Sequence, residues 1–231
     1  YAARLRQMGE EPGRVYAVGA PGMDAVTTIN FLSRNELAAD LNIDLSGSFF
    51  VVTYHPVTLQ LHQGSQAVGA LINALAQFKD SAMVFTGVNS DPGNRVIRDN
   101  IETFVSQFPR SRTVVASLGQ RRYLSAVHEA DAVIGNSSSG LIEVPALGVP
   151  TVNIGDRQKG RMRGPSVIDC AEEKNSIADA IRKAQTKAFR KIAATADPPY
   201  GRGGASKKIA DILARTDVAQ LSAKPFRDIM L

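Results

Sequence analysis

An α/β fold with a doubly wound parallel sheet is what this sequence predicts, and three observations predict it. Short apolar, β-branched runs recur along the chain and carry few charges, as strands covered on both faces do. The stretches between them place apolar residues at helical spacing. Strand-like and helix-like segments alternate throughout, the signature of parallel strands joined by helical crossovers.

The strand candidates are residues 14–18, 49–53, 82–86, 113–117, 132–134, 151–154 and 166–168. Between the second and third, Ala67, Leu71, Ile72, Leu75 and Phe78 fall on one helical face. After the last, the helical spacing runs through Ile177, Ala180, Ile181, Ala184, Ala188 and Ile192. The one Pro/Gly cluster, Asp197-Pro-Pro-Tyr-Gly-Arg-Gly-Gly204, marks a loop, and a helix over 205–215 should follow it. The tail from Lys224 to Leu231 carries no strong pattern.

A chain of 231 residues is one large domain or two small ones. With 44% hydrophobic and 21% charged residues it is not a mainly disordered sequence. No run approaches the roughly 20 apolar residues of a membrane helix, so no membrane association is expected. Lys and Arg exceed Asp and Glu by 27 to 22, a formal charge of +5. That excess invites a nucleic-acid reading, but the aromatics are few and not interleaved with the cations as stacking platforms require. A single cysteine, Cys170, excludes an internal disulfide and a cysteine-rich zinc site and fits a reducing, cytoplasmic home. The first residues, Tyr1-Ala-Ala-Arg-Leu-Arg6, have neither an initiator Met nor an apolar signal core, and read as a processed chain or one cut from something longer.

In open α/β sheets ligands bind beyond the carboxyl ends of the strands, so chemistry is sought there. Gly19-Ala-Pro-Gly22 and Asp24 form either a tight turn with Asp24 as an N-cap or a loop open to close ligand approach. His55, in Tyr54-His-Pro-Val-Thr58, sits at a strand end where an imidazole can do acid/base work or meet phosphate, or can be a hydrogen-bonded structural residue. His62 and His128 lie in polar or helical contexts. Asn89 and Asp91 suit an Asx turn as well as a ligand. Gly135-Asn-Ser-Ser-Ser-Gly140 leading to Glu143 is the most informative segment. Strand, small hydroxyl loop and helix start aim free N–H groups at one point, a phosphate cradle unlike the Walker or dinucleotide patterns. Pro145 requires the helix behind it to be short or to start late. Finally Gly155-Asp-Arg-Gln-Lys-Gly-Arg-Met-Arg-Gly164 puts four cations in one loop, suited to an anion or to a solvated surface.

Taken together, Val18-Gly-Ala-Pro-Gly-Met-Asp24, Thr53-Tyr-His-Pro-Val-Thr58, Asn89-Ser-Asp-Pro-Gly93, the serine loop with Glu143 and Gly155-Asp-Arg-Gln-Lys-Gly-Arg161 resemble the hydrolysing UDP-N-acetylglucosamine 2-epimerases in order and spacing. Pro199-Tyr-Gly-Arg-Gly-Gly-Ala-Ser206 resembles that family's closing motif but departs from it at Asp197-Pro-Pro and Arg202. The resemblance implies the Rossmann-like, C-terminal, UDP-binding half of a glycosyltransferase-B-type fold over residues 1–231, with the family's N-terminal domain outside the chain. It implies a UDP-sugar substrate, elimination of UDP from UDP-N-acetylglucosamine and hydration to N-acetylmannosamine, no cofactor, no metal, and a homo-oligomer at full length. It places His55 beside the departing diphosphate. Asn89 and Leu118 would line the nucleotide, Leu118 through its backbone. Ser137 and Ser138 would hold phosphate, Gly140 would belong to the same binding site, Glu143 would accept from the ribose, and Arg157 and Arg161 would form an anion or regulatory loop. Three other readings share these motifs: a non-hydrolysing epimerase, a glycosyltransferase half, and a nucleotide-binding regulator without catalysis.

Overall fold

A computed structural model describes residues 1–56, 64–87 and 94–217. Six strands, β1 (Phe49–Thr53), β2 (Ala82–Thr86), β3 (Arg112–Val115), β4 (Ala132–Gly135), β5 (Thr151–Ile154) and β6 (Val167–Cys170), form one sheet in the order β3-β2-β1-β4-β5-β6, parallel throughout. The helices are α1 (Ala2–Gln7), α2 (Asp24–Thr28), α3 (Arg34–Leu41), α4 (Gly64–Leu75), α5 (Asn94–Ser106), α6 (Gly119–Glu129), α7 (Ser139–Ile142), α8 (Lys174–Gln185), α9 (Lys187–Thr195) and α10 (Ala205–Arg215). No helix among the described residues is long and apolar enough to cross a membrane.

Strand β1 is buried at all five positions because both of its faces are covered. Phe50 and Val52 join Leu71, Leu75, Ile97 and Ile177 in one core layer. Phe49 and Val51 pack with Leu37, Leu41, Ala126 and Val144 in the other. The alternation follows from the two-residue period of a strand. Helix α3 starts from a capping box, the Ser33 hydroxyl accepting from the Glu36 N–H at 3.3 Å while Glu36 accepts from the Ser33 N–H at 2.8 Å.

Three expectations need correction. Residues 14–18 are not a strand: Val15 is extended, but Tyr16 and Ala17 are exposed and no described strand pairs with the segment. Apolar, β-branched composition supplies no ladder partner. The run from Ile177 to Ile192 is two helices, because Thr186 adopts an extended ψ of 143° and caps α9 by accepting from the Phe189 N–H. The break resets the helical phase, so Phe189 and Ala193 are buried while Ala188 and Ile192 are exposed. The last strand runs later than 166–168, and its register places Asp169 opposite Asn153.

Asp24 caps a helix far along the chain. Its two carboxylate oxygens accept from the N–H groups of Ala205 (3.0 Å) and Ser206 (2.7 Å) at the start of α10. Gly19, at φ +95°, lies against the Tyr200 carbonyl and the Ala205 methyl. The first glycine motif and the closing motif are therefore two sides of one joint. Bonds from Ser206 hold the Asp24 carboxyl below the usual carboxylate range. A depressed acid contributes stability above its unfolded pKa, near 4, and loses it as pH falls. Asp24→Ala should therefore lower the melting temperature at pH 7, with the gap to the unsubstituted protein shrinking as the pH drops below about 4. A gap that stays constant across that range would show that the cap is not ionised.

Candidate functional site

The strand order reverses between β1 and β4, and in this topology a crevice opens at the carboxyl ends where the connections diverge. His55 leaves β1 and the serine loop leaves β4, so the two segments singled out from sequence meet there. Gly135 permits the meeting. It sits at φ +138°, and a Cβ on it would lie 1.9 Å from the Thr53 carbonyl oxygen. The Asn136 N–H then donates to that same carbonyl at 3.1 Å.

His55 is 8% exposed, and Asn136 is fully buried beside it. The His55 N–H donates to Asn136 Oδ1 at 2.8 Å, and Asn136 Nδ2 donates back to the His55 carbonyl at 2.8 Å. The Asn136 carbonyl accepts from Gln158 Nε2 (2.8 Å) and Arg157 Nη1 (3.1 Å). One buried residue thus touches the histidine, opens the serine loop and holds the basic loop.

In the serine loop the three hydroxyls have different fates. Ser137 Oγ accepts from the Ser139 N–H at 3.4 Å. Ser139 Oγ accepts from the Tyr123 hydroxyl at 2.7 Å. Burial pushes the Tyr123 phenol up to about 12. The Ser138 hydroxyl and the N–H groups of Ser137 and Ser138 have no partner among the described residues. Helix α7 is a single turn, so its dipole adds little, and a 3-10 segment, Val144–Leu147, takes up Pro145. Gly140 is buried, its carbonyl accepting from Thr151 Oγ1 at 2.7 Å, and a Cβ there would press to 2.7 Å from the Thr151 methyl. Packing on β5 accounts for this glycine.

Glu143 follows α7, and its Oε2 is buried without a hydrogen-bond partner among the described residues. Its Oε1 lies 3.6 Å from where a Gly22 Cβ would sit, so the first glycine loop borders this carboxylate. The four cations of the basic loop divide. Lys159 pairs with Asp156 at 3.4 Å and Arg163 with Asp169 at 2.5 Å. Arg157 is half-buried against the serine loop, and Arg161 is exposed and lines a cavity of about 1120 Å³ that also touches Gly19, Ile142 and Tyr200.

Leu118 lies two strands out from β1, roughly 10 Å away at about 4.8 Å per strand. Its side chain is in the core, while its carbonyl accepts from Arg122 Nε at 3.1 Å. Asn89 and Asp91 lie outside the described residues. His128 stacks on Phe31, with ring centroids 4.8 Å apart, away from the site. Among the described residues no cluster of His, Cys, Asp and Glu could hold a metal ion.

Sequence reasoning missed Asn136 as an organiser and Glu172 as a strand-end carboxylate. Glu172 accepts from the Tyr54 hydroxyl at 2.9 Å, and burial with that neighbouring carboxylate raises the Tyr54 phenol. Ending the last strand at Ile168 put Glu172 out of consideration. The residue after a strand-terminal glycine was the available signal for Asn136.

This arrangement defines a class of fold, the Rossmann-like parallel sheet of glycosyltransferase-B-type proteins. The chain belongs to the UDP-N-acetylglucosamine 2-epimerase family, whose model matches residues 1–214. It is 37% identical over 201 residues to the polysialic acid biosynthesis protein P7 of Escherichia coli, covering 87% of this chain and 51% of that protein. It is 34% identical over 190 residues to the hydrolysing GDP/UDP-N,N'-diacetylbacillosamine 2-epimerase of Campylobacter jejuni, covering 82% and 49%. The chain thus spans about half the length of these relatives. Among solved structures, the UDP-GlcNAc 2-epimerase of Neisseria meningitidis bound to UDP-GlcNAc superposes with a TM-score of 0.75 at 15% identity, over 93% of this chain and 59% of that one.

Gly135→Ala should cost about 1–3 kcal/mol from the backbone conformation alone, with the clash against Thr53 adding to it. The denaturant midpoint reads this directly. A midpoint within error of the unsubstituted protein would mean that β1 and β4 separate freely at their carboxyl ends.

Proposed function

We propose that this chain is the UDP-binding half of a hydrolysing UDP-N-acetylglucosamine 2-epimerase. The observation that carries the reading is the orphaned Glu143 carboxylate oxygen together with the Ser138 hydroxyl and the Ser137 and Ser138 N–H groups, which have no partner among the described residues. A nucleoside diphosphate has the matching parts: phosphate oxygens for the N–H and hydroxyl donors of Ser137 and Ser138, and ribose hydroxyls for Glu143. The proposed assignments for Asn89, Leu118 and Arg157 extend the same site.

In the proposed reaction the C1–O bond to UDP breaks while a base takes the C2 proton. Water then adds to the unsaturated sugar, giving N-acetylmannosamine. His55 lies where a protonated imidazole offsets charge on the leaving diphosphate, and Arg157 adds a fixed cation. The names of two relatives, one for polysialic acid biosynthesis and one for diacetylbacillosamine, support a 2-acetamido sugar substrate; a cytoplasmic role in cell-surface sugar synthesis is part of the proposal. The diacetylbacillosamine nucleotide is the second reading, favoured by the C. jejuni relative. The full-length protein is proposed to have two domains, because the relatives are about twice as long, and to be a homo-oligomer. The proton-abstracting base would belong to the other domain, and this half alone would bind UDP without turnover. The deciding experiment assays full-length protein on both nucleotide sugars: UDP released in step with a free 2-epimerised sugar supports the reading, and a product that keeps its nucleotide overturns it.

Glu143→Gln should weaken UDP by about 1–3 kcal/mol while sparing inorganic diphosphate, measured by calorimetry. Equal losses for both ligands would remove the ribose role. His55→Ala in the full-length protein should slow UDP release by about 10²–10⁴-fold while the melting temperature changes little. A near-normal rate would return His55 to a purely structural part.

A further inference from the structure

We infer that Asn136 is the positioning residue of the site, aiming the His55 imidazole and coupling it to the basic loop. The inference rests on the reading of His55 as the leaving-group residue. Parallel pairing of β1 with β4 ends at Thr53 and Gly135, so nothing in the sheet fixes residues beyond that point. Asn136 continues the ladder with its side chain. Its amide makes the reciprocal pair of bonds, both 2.8 Å, that a neighbouring backbone would make with the N–H and carbonyl of His55. A primary amide is the one short side-chain group that accepts and donates in this fork geometry. Pro56 restricts the backbone of His55 to the extended region. With both of its backbone polar groups held, the Cα–Cβ direction of His55 is set, and the imidazole is left few rotamers from which to reach a ligand.

The same residue reaches the other side of the crevice. Its carbonyl takes two donors, Gln158 Nε2 and Arg157 Nη1, so a shift of Asn136 moves the histidine and the guanidinium together. Asn136 and Gln158, at 0% and 2% exposure, are shielded from water, which strengthens each of these bonds. Neither residue offers a group of its own to a substrate through these bonds. Asn136 acts through its neighbours, which separates it from His55, Ser138 and Glu143.

The test is a double-mutant cycle in the full-length protein. Asn136→Asp preserves shape and the acceptor for the His55 N–H but sets a carboxylate oxygen against the His55 carbonyl. UDP release should slow by about 10-fold to 100-fold, the effect of misplacing a reacting group by an ångström, with KM within about threefold. In the His55→Ala background Asn136→Asp should add almost nothing. In a protein labelled at histidine, the ring resonances of His55 should move on Asn136→Asp while those of His128 stay fixed. Losses that multiply in the cycle, or unmoved His55 resonances, would overturn the inference. If the parent enzyme releases no UDP from either nucleotide sugar, the functional reading fails, and the resonances still decide the clamp. If Asn136→Asp does not fold, Asn136→Ser removes both bonds without adding charge. Failure of both to fold would assign Asn136 to stability alone.

Discussion

The parallel pairing of β1 on both of its edges is the constraint on which the rest of this structure depends. A strand paired to β2 on one side and β4 on the other is buried on both faces, so it can carry no polar chemistry along its length. Function is driven to its carboxyl end. There the chain turns away in one direction after β1 and in the other after β4, and the gap between the two exits is where the topology opens at the centre of the sheet. His55 and the serine loop face one another as a consequence of strand order, with no need of a dedicated structural element.

The crevice is then tuned by removing partners as much as by supplying them. Of four cations in the basic loop, Lys159 and Arg163 pair with Asp156 and Asp169, which leaves Arg161 exposed and Arg157 directed inward to the Asn136 carbonyl. Of three serines, Ser137 and Ser139 are engaged within the protein, which leaves Ser138. Glu143 Oε2 is left buried and unbonded, a costly arrangement in a folded chain unless something else completes it. These groups form a cradle because their neighbours, chemically the same, are already occupied.

Much of this was legible in the sequence. Three strands, β1, β2 and β5, occupy the residues that their apolar runs mark out, and α10 begins and ends where the glycine cluster predicts. Periodicity worked where a segment's partners are local or where both faces are buried. It failed at residues 14–18, because composition reports the capacity to be a strand and not the presence of a neighbour. It failed at Thr186, because an extended residue within a continuous apolar pattern is invisible to spacing. It could not see Arg112, which is buried with its guanidinium 4.3 and 3.7 Å from the rings of Phe104 and Phe108 and no carboxylate paired with it among the described residues. Burial alone lowers the pKa of that guanidinium. The site motifs were legible as types of residue, but which serine is free and which cation points inward depends on contacts from elements far apart in sequence.

The fate of the carboxylates carries the argument one step further. Asp24 is committed to the start of α10, and Glu172 to the hydroxyl of Tyr54. Glu143 borders the first glycine loop, its Oε1 3.6 Å from where a Cβ on Gly22 would sit. On the proposed function, the carboxylates near the crevice among the described residues either bind the protein to itself or, as with Glu143, would face the nucleotide. On the proposed reading, this half of the enzyme is built to hold and stabilise what leaves, and abstraction of the C2 proton falls to groups that approach the sugar from the opposite side. Such a division makes closure of the cleft the event that assembles the reaction: a leaving group held by one rigid half is harmless until a base from the other arrives.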